Sequence, residues 1–251
     1  MDVSTAKVVV TGAAQGLGWA TARAFADAGA QVTVLDINEA AGNAAAESIG
    51  AAFFAADVTD ETSVSKALDK AADAMGGLSV AVNCAGIALG EKTLGRDGPH
   101  RIDSFRRTVD INLTGSFNLL RLSARIMADE TPNPEGERGV IINTASVAAF
   151  DGQKGQAAYA ASKAGIAGLS LPAARDLARD GIRVMAIAPG VFETPMLNGL
   201  GPEITEALAA DVLFPKRLGR PAEFAALALF IVSCPYLNAT TIRLDAGLRL
   251  P

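Results

Sequence analysis

Histidine is nearly missing from this chain: His100 is the sole example among 251 residues. That scarcity excludes a His-rich metal site, and it leaves a Ser-His-Asp hydrolase a single candidate base. His100 lies in G-R-D-G-P-H-R, a polar glycine-containing stretch that reads as a loop. Cysteine is almost as scarce. Cys84 and Cys234 stand far apart and match neither a disulfide framework nor zinc spacing, which fits a reduced compartment. Aromatics make up only 5% against 50% hydrophobic residues, so the core must be built from Ala, Val, Leu and Ile. The net charge is −5 and no Lys/Arg cluster occurs, which argues against a nucleic-acid partner. The longest apolar run, Phe224–Cys234, is too short to span a bilayer, so no membrane partner is expected. The opening M-D-V-S-T-A-K lacks both a basic n-region and an apolar h-region. No secretory or mitochondrial address is read from it, and the expected compartment is the cytoplasm.

What the chain does have is alternation. Short β-branched runs occur at Lys7–Thr11, Gln31–Asp36, Ala51–Ala56, Leu78–Asn83, Val140–Thr144, Ile182–Ala188 and Thr240–Leu244. Helical patterns separate them: Leu17–Ala28, Glu39–Ile49, Glu61–Met75, Ser104–Ala128, Ala157–Arg179 and Ala222–Val232. Alternating strands and helices with uniformly apolar strands predict an α/β domain with a parallel sheet covered on both faces. Right-handed crossovers give a doubly wound sheet of seven strands in the expected order 3-2-1-4-5-6-7. Residues 1–251 read as one domain without linker or repeat. Leu89–Asp103 is a polar insertion and Asp129–Gly139 a polar loop; both are expected at the surface, the first also near substrate. Val191–Leu213 follows the sixth strand and contains Pro195, Gly199, Gly201 and Pro202, which makes it a candidate lid.

A nucleotide site is suggested by T-G-A-A-Q-G-L-G after the first strand. Gly12, Gly16 and Gly18 are spaced G-x-x-x-G-x-G rather than G-x-G-x-x-G. Glycines permit a sharp strand-to-helix turn, and the helix N-terminus attracts a pyrophosphate; a plain tight turn is the alternative. Asp36 ends the second strand, 18 residues past Gly18. A carboxylate there accepts from both adenosine ribose hydroxyls and repels a 2′-phosphate, so NAD is expected over NADP. A helix N-cap is the competing role for Asp36. Asp57, followed by Val58, meets the adenine amino group or caps the next helix. Asn83-Cys84-Ala85-Gly86 closes the fourth strand with small residues that admit a cofactor backbone; Asn83 itself, grouped with the cofactor contacts, reads more as a tether between neighbouring strands.

The chain has two tyrosines, and Tyr159 stands four residues before Lys163 in Y-A-A-S-K. That spacing puts both on one helix face, where an ammonium favours the phenolate; read alone, a surface Tyr beside a surface Lys is the commoner meaning, and the glycine-rich turn and Ser146 raise the catalytic one. Ser146 follows the fifth strand in I-I-N-T-A-S, 13 residues before Tyr159, and can face the carboxyl-end opening. Asn112, inside a helix, would ordinarily be satisfied by solvent or backbone, and could instead hold a water near Lys163. Trp19 reads as packing and Cys84 as a small core residue, since no His accompanies the thiol. Lys92, Arg96 and Arg101 read as a solvated face of the insertion, with phosphate contact as the alternative.

Together, T-G-x-x-x-G-x-G, N-x-A-G, an internal Asn, a Ser and Y-x-x-x-K resemble the short-chain dehydrogenase/reductase superfamily, over essentially the whole chain. G-V-I-I-N-T-A-S-V-A-A-F (139–150), G-Q-A-A-Y (155–159) and I-R-L-D-A (242–246) are similar to its 3-hydroxyacyl-CoA dehydrogenase group. The resemblance implies a Rossmann-type domain that moves hydride between NAD and a secondary alcohol, without a metal. It implies Tyr159 as general base, Lys163 lowering its pKa and binding the nicotinamide ribose, Ser146 holding the carbinol oxygen, and Asn112 a relay water. Gln15, Leu17, Asp36, Asp57, Val58, Cys84, Phe192 and Thr194 would contact NAD, and Pro189-Gly190 would pass the nicotinamide. Ser146, Gln153 and Tyr159 would face a small-molecule substrate. The implied substrate is a 3-hydroxyacyl-CoA; a hydroxysteroid or sugar alcohol, or a non-enzymatic dinucleotide-binding scaffold, are the alternatives. A homotetramer is implied as well, and the long helices at 104–128 and 157–179 carry more Ala and Leu than one buried face requires.

Overall fold

A computed structural model describes residues 1–198 and 208–250. Its strands are β1 (Lys7–Thr11), β2 (Gln31–Asp36), β3 (Ala52–Ala55), β4 (Val80–Asn83), β5 (Leu94–Gly95), β6 (Gly98–Pro99), β7 (Gly139–Thr144), β8 (Ile182–Pro189) and β9 (Thr241–Leu244). All but β5 and β6 join one parallel sheet in the order β3-β2-β1-β4-β7-β8-β9. With the β5–β6 hairpin left out of the count, this is the expected 3-2-1-4-5-6-7. The order reverses between β1 and β4, where Thr11 pairs with Asn83. A crevice opens at the carboxyl ends of these two strands, as open α/β sheets require at a switch point.

The helices are α1 (Gly16–Asp27), α2 (Glu39–Ser48), α3 (Glu61–Met75), α4 (Ile102–Val109), α5 (Gly115–Ala128), α6 (Ala157–Leu177), α7 (Pro195–Asn198) and α8 (Pro221–Ser233). Side chains of β1 alternate between two cores. Val8 and Val10 pack with Phe25 of α1 and Phe224 of α8. Val9 packs with Leu68 of α3 and Leu119 and Met127 of α5. That period of two, with each side apolar, is why the strand reads as an unbroken hydrophobic run. Among the described residues, no helix is long and apolar enough to cross a membrane.

Two expectations are corrected. The single helix expected over 104–128 begins at Ile102 and is interrupted by a π-helical turn, Asp110–Thr114. A wider turn reorients one side chain, and here it is that of Asn112. The insertion 89–103 is not merely loop. It contains the β5–β6 hairpin, and the Glu91 N–H donates to the carbonyl of Gly155 just before α6. Asn38 and Asp60 cap α2 and α3 by accepting from Ala41 N and Thr62 N. Neither Asp36 nor Asp57 is therefore the cap.

Arg183 in β8 is a buried charge unremarked in the sequence. It pairs with buried Glu137 at 2.8 Å. Its guanidinium also donates to the carbonyls of Ile231 and Leu237 at 2.9 and 2.7 Å, where α8 ends. A cation at a helix C-terminus satisfies its free carbonyls, so this pair fixes the helix that covers α1.

Candidate active site

The crevice is a cleft of about 740 Å³. Gly12, Gln15, Gly16, Leu17 and Gly18 line one end of it. Gly12 holds φ at +62°, and a Cβ there would sit 2.7 Å from the nitrogen of Ala85. Gly18 needs space rather than freedom, because a Cβ would run into the Gly12 carbonyl oxygen. The α1 N-cap, Gln15, makes no side-chain capping bond. First-turn N–H groups beside the cleft are thus available to an anion, and a dinucleotide pyrophosphate fits this end. Thr11, which the sequence reading missed, ties the turn to the next strand: its hydroxyl oxygen accepts from Cys84 N at 3.2 Å and Ala85 N at 3.3 Å.

Asp36 lines the cleft at the end of β2. Its carboxylate accepts from Ala14 N at 3.0 Å and from Asn38 N at 2.9 Å. These bonds hold the acid against the glycine-rich turn. Asp57 and Val58 also line the cleft, and Asp57 accepts from Thr59 N at 2.9 Å. Ala85 and Gly86 line it too, as does Cys84. Burial pushes the Cys84 thiol up to about 11, so this half-buried group stays a protonated, unreactive thiol. Asn83 is a correction. It does not line the cleft; its amide donates to Asn143 Oδ1 at 2.7 Å and to the Ser116 carbonyl, joining β4 to β7. Only the strand-tether alternative survives.

The opposite wall brings Ser146, Gln153, Tyr159 and Lys163 together. Ser146 follows β7, and its hydroxyl accepts from Ala148 N at 3.1 Å, which fixes its rotamer. Tyr159 and Lys163 lie one turn apart on α6 as expected, with the Lys163 Nζ 5.8 Å from the Tyr159 ring centroid. Lys163 is 5% exposed and donates to the Thr144 carbonyl at 2.7 Å. Burial pushes its ammonium from 10.5 down to about 8. The expected lowering of the phenol is not observed: burial raises Tyr159 above its ordinary value, opposed by a hydrogen bond with Ser146. Desolvation disfavours the phenolate more than the Ser146 hydrogen bond favours it.

Asn112 also departs from expectation. It is fully buried and absent from the cleft lining. Its Oδ1 accepts from Ile87 N at 2.8 Å, and its Nδ2 donates to Ile87 O at 2.9 Å and Ser162 Oγ at 3.1 Å. Both amide hydrogens and one Oδ1 lone pair are spent on the Ile87 backbone and Ser162, so the side chain is chiefly a fastener of the loop after β4. Ser162 in turn donates to the Tyr159 carbonyl at 2.7 Å. Ile87 itself lines the cleft, with Arg107 and Gln156, none of them expected. Ile87 follows N-C-A-G directly, which was the available signal; Arg107 offered none.

Pro189, Gly190, Phe192 and Thr194 line the cleft beyond β8. Phe192 is mostly core, edge-on to Phe224 with centroids 6.5 Å apart. The candidate lid 191–213 falls in part on residues 199–207, outside the described residues. Trp19 lies on α1 with the Arg23 guanidinium 5.4 Å from its ring, a packing role. His100 sits after the hairpin, its Nδ1 2.9 Å from the Arg101 carbonyl oxygen, and does not line the cleft. Arg101 pairs with Glu91 at 3.2 Å, so its charge is already used.

A family model for short chain dehydrogenase matches residues 6–205. The chain is 51% identical over 246 residues to 3-hydroxyacyl-CoA dehydrogenase type-2 of Homo sapiens, covering 96% of this chain and 94% of that protein. It is 48% identical over 252 residues to 3-hydroxyacyl-CoA dehydrogenase type-2 of Drosophila melanogaster, covering 99% of each. The crystal structure of 3-hydroxyacyl-CoA dehydrogenase type-2 from Mycobacterium avium matches with a TM-score of 0.95 at 41% identity, over 99% of this chain and 98% of that one.

Proposed function

The chain belongs to the short-chain dehydrogenase family, and from that premise we propose that it oxidises 3-hydroxyacyl-CoA thioesters to 3-oxoacyl-CoA with NAD. The observation that carries this reading is the meeting of Ser146, Tyr159 and Lys163 on one wall of a cleft whose far end holds Asp36 and the glycine-rich turn. The names of the full-length relatives supply the substrate class. Asp36 supports NAD over NADP, because a carboxylate held by Ala14 N and Asn38 N suits ribose hydroxyls and repels a 2′-phosphate. Phe117 on α5 and Leu171 on α6, 45% and 43% exposed, support self-association through these helices as a homotetramer.

Held by the glycine-rich turn and Asp36, a nicotinamide dinucleotide would supply the hydride acceptor. Ser146 Oγ hydrogen-bonds the substrate hydroxyl and orients its carbon. Tyr159 Oη removes the hydroxyl proton, help worth roughly 10²–10⁴-fold. Lys163 stabilises the phenolate electrostatically, held in place by the Thr144 carbonyl. In reduction the same phenol returns the proton to the carbonyl oxygen.

NADH absorbance tests the reading, with 3-hydroxybutyryl-CoA and a hydroxysteroid offered in parallel. Expected is a kcat/KM at least tenfold higher for the thioester. A reversed preference moves the assignment to another secondary alcohol. Tight NAD binding with no alcohol turned over makes the protein a dinucleotide-binding scaffold.

A further inference from the structure

We infer that the segment after β9, Asp245–Leu250, supplies part of the wall that meets the acyl chain, with Leu250 as a determinant of chain-length preference. This rests on the 3-hydroxyacyl-CoA reading and extends it to a part of the chain far in sequence from the reacting groups. Leu250 is half-buried and lines the same cleft as Ser146, Gln153 and Tyr159. Leu197 of α7 and Leu208 line it as well. Three leucines from separate segments thus share one space with the proton-transfer groups. Beyond its hydroxyl carbon, a 3-hydroxyacyl group is hydrocarbon. Proton and hydride transfer need no leucine, whereas covering that hydrocarbon does.

The backbone is shaped to bring Leu250 there. Ala246 and Gly247 hold φ at +49° and +80°, and this left-handed pair turns the chain sharply. An alanine in that region is strained, so its surroundings must impose the conformation. The Gly247 N–H donates to Asp245 Oδ1 at 3.0 Å, the Ala246 carbonyl accepts from Phe214 N at 3.4 Å, and the Leu248 side chain is buried. Arg243 then fastens the segment to the loop that carries Gln153. It pairs with Asp151 at 2.5 Å and donates to the Leu248 carbonyl at 3.0 Å. The Asp151 carboxyl is held below its ordinary value, first by Arg243 and more weakly by the backbone N–H of Leu250. Arg243 is therefore a positioning residue, and Leu250 is the side chain it positions.

The test reads the ratio of kcat/KM for 3-hydroxyoctanoyl-CoA to that for 3-hydroxybutyryl-CoA, by NADH absorbance. The shorter acyl group ends one carbon past its hydroxyl carbon and reaches little of the wall. Leu250→Ala should lower the ratio roughly 4- to 15-fold, the scale of one or two buried methylene groups, chiefly through KM for the longer thioester. Leu250→Asp should lower it further. Arg243→Gln should lower it too, and combined with Leu250→Ala it should add nothing, because it acts through that side chain. A ratio that stays level or rises in the Leu250 variants overturns the inference. So do variants that slow both thioesters alike, or effects that multiply in the double variant. Turnover of neither thioester by the wild type defeats the dehydrogenase reading instead.

Discussion

The Lys163 ammonium donates to the Thr144 carbonyl at 2.7 Å, at the very end of β7. The contact ties α6 to the strand that delivers Ser146, and it holds a buried cation at the cleft wall without a carboxylate partner among the described residues. Burial lowers this group from 10.5 to about 8, a difference of the order of 3 kcal/mol. Lys163→Met should abolish turnover and yet raise stability at pH 7 by about 1–2 kcal/mol, after subtracting about 1 kcal/mol for the lost hydrogen bond. The sign depends on pH. Between about pH 8 and 10.5 the unfolded chain keeps this proton and the folded chain has released it, so this group's contribution to stability rises with pH. Urea melts at pH 7 and pH 9.5 should therefore show the variant's advantage shrinking. An advantage that grows with pH, or a variant less stable at pH 7, would show that the ammonium is not buried at a cost.

Tyr159→Phe should reduce kcat by at least 10²-fold while NAD affinity changes less than about threefold, because the lost oxygen serves proton transfer. Burial holds this phenol above its ordinary value. Oxidation should accelerate as pH rises through the alkaline range, and reduction should slow. Steady-state rates in both directions, with fluorescence titration of NAD, check this; residual turnover near wild type removes Tyr159 from the chemistry.

Much of this arrangement can be read from the chain because the relevant spacing is local. Tyr159 and Lys163 meet through one helical turn, and Gly12 to Gly18 act within one strand-to-helix turn. Asp36 sits at a strand end that its own β-branched run defines. What stayed hidden depends on distant partners. Asn83 serves as a tether because β7 brings Asn143 beside it, 60 residues away. The π-turn at Asp110–Thr114 leaves the apolar pattern of a helix intact, so it has no signature. The β5–β6 hairpin has two-residue strands, too short for alternation. The direction of the Tyr159 shift follows from burial, which no local spacing reports.

Cofactor choice should turn on Asp36 and its neighbour. Ile37 lines the cleft and is 69% exposed, so an arginine fits there without repacking. Asn38 must be kept, since its side chain caps α2 and losing it costs about 1 kcal/mol. Asp36→Ala with Ile37→Arg should shift the NADP/NAD ratio of kcat/KM upward by about 100-fold or more, the scale of a carboxylate–phosphate repulsion exchanged for a charge-assisted bond. It should also lose some stability, because Ala14 N and Asn38 N lose their acceptor. Unchanged selectivity in initial-rate assays would reduce Asp36 to a fastener of the glycine-rich turn.

Asn112 offers the sharpest separation between a relay role and a positioning role. Its amide makes a two-way bond with the Ile87 backbone and a third bond to Ser162 Oγ. Ser162 passes the order on to the Tyr159 carbonyl. Asn112→Ala strands the N–H and the carbonyl of Ile87 while Ser162 keeps its bond to Tyr159, and should cost about 2–3 kcal/mol of stability. Because Ile87 lines the cleft, the KM for NAD should rise about tenfold, with a smaller fall in kcat. Asn112→Asp keeps the acceptor for Ile87 N but sets a second oxygen against the Ile87 carbonyl where a donor stood, so it should recover part of the KM and none of the stability. Its carboxylate would also face Lys163: a Cβ placed on Gly86 would lie 3.2 Å from the present Oδ1 and 3.6 Å from Lys163 Nζ. That negative charge should raise the Lys163 pKa and move the alkaline limb of the pH–rate profile upward. A side chain that only held a water would give the opposite pattern in Asn112→Ala, with kcat depressed while the melting temperature and the KM for NAD stay at wild-type values.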